Sequence, residues 1–356
     1  MSQEADSECE VYSLDRSWKG PCEIVPQWED YCWTFGGCKA RWEIEPGVPV
    51  SLFTEDCFGG RVRSAAHLPS KVVQYPYLNP QTGPFFVKGA EPGDSIAVHF
   101  VSIAPARDWA VSCTVPLYGA LVGTSATAML HDALPELTWV YRVNRQDGLV
   151  SVRGLRSPWT VSLPLAPFHG TVGVAPPAGE VRSSIVPDMF GGNMDTPEVC
   201  AGSTVYLGVN VPGALLSLGD GHYAMGEGEA CGSAVEGAMV TTIVVEVIKG
   251  HYCEWPRIES DEAVMVAGSA RPLEDAYRVA HAELIKWLVE TLRFDRLDVL
   301  QVLSQCAKSR IANVVDPNYT IVAKMPKYVL PSDVSFMGGA HDHLSALAVR
   351  AMTREA

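Results

Sequence analysis

Twenty-five prolines and 31 glycines punctuate the 356 residues, and breakers at this density favour many short strands and turns over long helices. The length allows a large core and two or three subdomains. Hydrophobic residues at 47% and charged residues at 19% are ordinary for a packed globular protein. Short strands begin near Val48. Residues 94–103 alternate Ile96, Val98 and Phe100 on one face, after the turn Glu91-Pro92-Gly93-Asp94. A hairpin is expected from 139–143 and 149–152 across Asp147-Gly148. Val205, Leu207, Val209 and Val211 alternate again, and 239–248 is a nearly continuous apolar strand, expected to be buried on both faces.

The period changes near residue 255. Ala276, Ala280, Leu284, Trp287 and Leu288 recur at helical spacing behind Pro272 and the acidic pair Glu274 and Asp275, which predicts a helix over about 272–292. A second helix over about 295–308 starts from Asp295 as N-cap, with Leu300, Leu303 and Ala307 inward, and a strand follows at 319–324. The tail after Met337, with His341 and His343, shows little pattern and is expected to be flexible. The fold expected is mainly β, a sandwich or barrel-like body with a C-terminal α+β portion. Residues 1–45 form a Trp- and Pro-rich arm, 46–254 the body that carries the site, and 255–356 the α+β portion.

The formal charge of −14, with no Lys/Arg cluster, repels phosphate backbones and anionic lipid, so neither nucleic acid nor membrane is an expected partner. No apolar run reaches the length of a membrane span. The acidic start lacks the apolar core of a signal peptide, which leads us to expect a cytoplasmic location. Ten scattered cysteines would then be mostly free thiols. Trp18, Trp28, Trp33 and Trp42 are read as anchors that pack the arm on the body or on a neighbouring subunit, and so suggest a homo-oligomer.

Chemistry concentrates in Gly219-Asp220-Gly221-His222 and Gly226-Glu227-Gly228-Glu229. An Asp, a His and two Glu within ten residues can hold a divalent cation or run acid–base chemistry. The interleaved glycines imply unusual dihedrals or close backbone approach to something bound. Asp56 lies at a strand end before Gly59-Gly60, where it either caps a turn or points into a cleft. Its neighbour Cys57 reads as a small buried residue. Asn79 belongs to a turn, Asn79-Pro80-Gln81-Thr82-Gly83-Pro84, whose polar side chains could line a pocket mouth. His169 is either a satisfied core histidine or a supporting group. In Gly191-Gly192-Asn193-Met194-Asp195, extended backbone puts Asn193 and Asp195 on one side, and the N–H groups of the Gly-Gly turn could serve an oxyanion.

Taken together, these segments resemble the acetamidase/formamidase family of amide hydrolases. The matching pieces run in order from Asp56 through Asn79, the 89–94 turn, 167–176, Gly191 to Asp195 and Gly219 to Gly232, and the likeness covers roughly residues 45–330. The resemblance implies hydrolysis of a short formamide- or acetamide-like amide to a carboxylic acid and ammonia. It implies Asp56, Asp220 and His222 as ligands of a divalent metal, with zinc expected and calcium or manganese as alternatives. It gives Glu229 the role of general base. Gly191, Gly192, Asn193, Asp195 and His169 would hold the substrate or support the ligands. Glu227 stands where many relatives carry Asp. A hydrolase of a cyclic amide such as a γ-lactam is the second reading, and a non-catalytic β-rich small-molecule-binding protein the third.

Overall fold

A computed structural model describes residues 22–116, 118–122 and 134–355, with side chains through residue 350. Trp18 and the first half of the arm lie outside the described residues.

Three layers stack. The middle layer is an eight-stranded sheet in the order Lys308–Asn313, Tyr319–Pro326, Ala263–Ala270, Arg257–Glu259, Thr204–Gly208, Ser95–Pro105, Met239–Ile248 and Val50–Thr54. Its strands carry apolar side chains on both faces, so it needs a cover on each. Ile96, Val98, Phe100, Val205, Leu207, Ile243 and Val245 meet Phe85, Val87, Val172, Leu216 and Leu218 of a five-stranded sheet in one core. That second sheet runs Gly191–Asn193, Phe168–Gly173, Ala214–His222, Gln81–Val87 and Trp42–Ile44. The opposite face offers Ala97, Tyr206, Val244, Val264 and Val266 to Ala276, Ala280, Leu284, Trp287 and Leu288 of the helix Leu273–Leu292. The body is thus the expected β-sandwich, and the helices are mainly C-terminal.

The strand periods translate directly. The hairpin pairs Leu137–Asn144 with Leu149–Arg153, Asn144 opposite Leu149, and Gly148 sits at φ 65° in the turn. Asp295 caps the helix Arg296–Cys306 by accepting from the Leu297 amide at 2.8 Å. That helix buries Val299 and Leu303 and leaves Leu300 at 45% exposure, so its inward face is turned from the one expected. The tail is not flexible: Ala340–Glu355 is a helix. His341, Leu344 and Ala348 are its buried face, with His341 Nδ1 2.9 Å from Thr204 Oγ1 and Nε2 3.1 Å from Asp261 Oδ1. The 3,4 spacing of those three residues is the helical signal, and His341 masked it by being polar.

From residue 22 the arm packs on its own body. Trp28 stacks near Trp33 with ring centroids 5.3 Å apart, Trp33 meets Tyr77 at 5.2 Å, and Trp42–Ile44 joins the five-stranded sheet as a parallel edge. Among the described residues no helix is long and apolar enough to cross a membrane.

Candidate active site

The site forms where three strands of the smaller sheet come together. Phe168–Gly173 pairs antiparallel with Ala214–His222, and its registers His169↔Gly221 and Thr171↔Gly219 put Gly170 opposite Asp220. On its other side Thr171 pairs with Asn193. Gly170 is required by close approach: a Cβ there would lie 2.6 Å from both Asp195 Oδ1 and Asp220 Oδ2, and 2.8 Å from His222 Cε1. Bare backbone is therefore one wall of the cluster.

Around His222 stand three carboxylates. Its Nε2 is 3.3 Å from Asp220 Oδ1, 3.4 Å from Glu236 Oε1 and 4.0 Å from Asp195 Oδ1, and all four residues are buried. Glu229 joins His222 and Glu236 in a group whose ligand-capable atoms lie within 4.8 Å of one another, and Asp195, Asp220 and His222 form another.

Each carboxylate is held by one oxygen. Asp220 Oδ2 accepts from Asn79 Nδ2 at 3.1 Å, with the Thr171 hydroxyl also 3.1 Å away. Asp195 Oδ2 accepts from Asn193 Nδ2 at 3.0 Å, and Glu236 Oε1 from the Ala234 amide at 2.7 Å. Of the second oxygens, Asp195 Oδ1 and Glu236 Oε2 have no hydrogen-bond partner among the described residues, and neither has His222 Nδ1, while Asp220 Oδ1 faces His222 Nε2. Buried polar atoms are rarely left this way, and three in one cluster are free to take a ligand.

Asn193 Nδ2 also donates to Asp316 Oδ2 at 2.8 Å, which brings a fifth carboxylate to the site. Burial, then mutual repulsion, pushes Asp195, Asp316 and Glu236 well above the usual carboxylate range. Burial is also the largest cause holding Glu229 at about 7, where it can exchange a proton near neutrality. For His222 burial works downward, but Glu236 and Asp220 outweigh it and lift the imidazole to about 10.

Asn79, Asp195, Asp220 and Glu229 all hold positive φ, at 51°, 46°, 58° and 49°. For side chains other than glycine this region is sparsely populated, and such residues gather at functional sites.

Of the residues singled out in the sequence, Asp195, Asp220, His222, Glu229 and Asn193 come together here. Asp56 does not join them. Its Oδ1 accepts from the Phe58 and Gly60 amides at 2.9 and 3.0 Å, and its Oδ2 faces buried Arg107 at 3.4 Å, so it shapes the loop. Glu236 stands by His222 in the place expected of Asp56. His169 sits behind the sheet with both nitrogens engaged, Nδ1 with Gly219 O at 3.0 Å and Nε2 with Thr241 Oγ1 at 2.7 Å. The Gly191 N–H donates to Asp188 O at 2.9 Å, so it is not available to an oxyanion. The two glycines serve close approach: a Cβ on Gly191 would lie 2.3 Å from Val172 O, and one on Gly192 2.2 Å from Val186 O. Glu227 turns outward and pairs with Arg310 at 3.7 Å.

Sequence reasoning missed Glu236 and Asp316. Glu236 is a lone carboxylate in the apolar run Ala234-Val235-Glu236-Gly237-Ala238, which was its signal. Asp316 sits in the Asp316-Pro317-Asn318 turn, which looks like ordinary turn chemistry.

A cavity of about 350 Å³ opens onto the cluster, with Asn79, Asn193, Asp220, Glu229, Glu236 and Asp316 in its lining.

The chain resembles known proteins along most of its length. An acetamidase of Yersinia enterocolitica, known from its crystal structure, is 40% identical, with a TM-score of 0.81 over 89% of this chain and 95% of that one. An acetamidase of Bacillus halodurans is 28% identical, with a TM-score of 0.75 over 85% and 96%. A formamidase of Methylophilus methylotrophus is 26% identical over 254 residues, 58% of this chain. The match spans 61% of the length of the curated relatives. The sequence model of the Acetamidase/Formamidase family matches residues 174–331, which hold Asn193, Asp195, Asp220, His222, Glu229, Glu236 and Asp316. Fold and sequence agree, and the chain belongs to the acetamidase/formamidase family.

Proposed function

We propose that this protein hydrolyses linear primary amides, with formamide and acetamide as the minimal substrates, to a carboxylic acid and ammonia. Family membership supports the reaction class. The observation that carries the reading is the open oxygens of Asp195 and Glu236 that stand with Asp220 around His222, beside buried Glu229. A charge of −14 with no basic cluster disfavours an anionic substrate, and a cytoplasmic location is part of the same proposal.

The cluster suits a divalent cation. Five buried carboxylates, Asp195, Asp220, Glu229, Glu236 and Asp316, meet one imidazole, and no Lys or Arg joins them among the described residues. Asp195, Asp220, Glu236 and His222 would hold the ion. The oxygen-rich set with one nitrogen is compatible with zinc, manganese or calcium, of which we favour zinc. Such a cation, when bound, lowers the pKa of water toward neutrality and polarises a carbonyl.

The chain's own groups supply the rest. Glu229 takes the proton of the attacking water and delivers it to the departing nitrogen. Asn79 and Thr171 fix Asp220, and Asn193 fixes Asp195 and Asp316, so the carboxylates do not reorganise during the reaction.

Ammonia release from formamide and acetamide tests this, measured on protein of known metal content before and after chelation and after return of each cation. Activity is expected to vanish with the metal and return with zinc. Full activity in metal-free protein would end the metal proposal, and ring opening of a γ-lactam outpacing every linear amide would reassign the substrate to cyclic amides.

A further inference from the structure

The cavity is lined by two kinds of residue. The cluster supplies polar groups, and Phe58, Val73, Leu78, Val115, Ile185 and Val315 supply apolar wall. Tyr75 and Tyr118 also line it, and Tyr75, 71% exposed, marks the side open to solvent. At about 30 Å³ per water, the 350 Å³ cavity has room for roughly ten waters. Acetamide has four heavy atoms and would fill only the part beside Glu229 and Glu236. Most of the apolar wall would then still face water.

We propose that the preferred substrate is a linear amide whose acyl group is uncharged, apolar and several carbons longer than that of acetamide, seated against Phe58, Val73, Leu78, Val115, Ile185 and Val315. The proposal rests on the amidase reading and specifies what occupies the rest of the same cavity. No lysine or arginine lines the cavity among the described residues, so an acyl chain ending in a carboxylate finds no counter-charge there. An apolar chain displaces water from apolar wall, which is worth about fourfold in kcat/KM for each buried methylene. The reaction is unchanged: water adds to the carbonyl carbon, the C–N bond breaks, and the nitrogen leaves as ammonia.

The test is ammonia release by the metal-loaded protein from formamide, acetamide, butanamide, hexanamide, phenylacetamide and the monoamide of succinic acid. We expect kcat/KM to rise at least 30-fold from acetamide to hexanamide, with phenylacetamide also well above acetamide and the succinic monoamide below it. In Val73→Trp, which fills the space beside the apolar wall, the ratio of hexanamide to acetamide kcat/KM is expected to fall at least tenfold. A wild-type kcat/KM that peaks at formamide or acetamide and declines with chain length overturns the proposal and leaves the amidase reading standing. Ammonia from none of the amides overturns the amidase reading itself and this one with it.

Discussion

Asn79 Nδ2 lies 3.1 Å from Asp220 Oδ2 and 2.9 Å from Asn193 Oδ1, although Asn79 and Asp220 are 141 residues apart. One amide thus ties together the two strands that carry the acidic cluster. Asn79 itself touches the cavity but need not touch the reacting atoms. Partners that orient a ligand in this way typically contribute 10–100-fold to affinity or rate. Asn79 also sits at φ 51°, which glycine adopts without strain. Asn79→Gly is therefore expected to keep its melting temperature within a few degrees while kcat/KM falls roughly 10–100-fold. An unchanged rate in steady-state assays would show that the tie is dispensable.

Gly170→Ala is the steric test of the same cluster. Its methyl would lie 2.6 Å from oxygens of Asp195 and Asp220, so at least one carboxylate must move. Losses of more than about 100-fold in kcat/KM are expected, because misplacement by about 1 Å has this effect. Metal content by mass spectrometry should fall in parallel. Normal metal content and normal rate together would mean that the cluster does not lie against this backbone.

Glu229→Gln keeps shape and removes the carboxylate proposed as base. We expect kcat to drop by about 10²–10⁴ with the bound metal retained. Loss of metal in this variant would instead make Glu229 a ligand.

A pH-linked prediction concerns the core. His99 is buried between Thr204 and His341, and burial, followed by repulsion from His341, lowers its pKa from 6.5 to about 4. The unfolded chain takes up a proton on His99 as pH falls below 6.5, whereas the folded chain resists until about 4. Wild-type protein therefore loses stability over this window, by roughly 3 kcal/mol in total at about 1.4 kcal/mol per pKa unit. His99→Asn lacks that loss. Its stability deficit relative to wild type, from denaturant melts, should shrink between pH 7 and pH 4; a constant deficit would contradict neutral burial of His99.

Much of the architecture could be read in advance because strand and helix periods are local. Ile96, Val98 and Phe100 declared one face of a central strand, and Ala276, Ala280, Leu284 and Leu288 declared a helix. The site was legible where its residues sit in short glycine-punctuated segments, as Asn193 and Asp195 do in one and Asp220, His222 and Glu229 in another. Asp56 misled because a loop carboxylate next to glycines looks the same whether it accepts backbone N–H groups or faces a ligand, and Arg107, which decides the matter, is 51 residues away. Glu236 was hidden by its apolar neighbours, and Asp316 by a turn, since neither strand pairing nor the depth of a cavity has a local signature.

The order in which these groups leave the ribosome has its own result. Asn79 emerges early, the strand with Asp220 and His222 midway, and Asp316 only after the Lys308–Asn313 edge strand. A nascent chain halted after residue 236 but before residue 316 has every other acidic partner in hand yet lacks the one that Asn193 grips from the far side. The acid-lined chamber is therefore the last part of the molecule to be closed during synthesis.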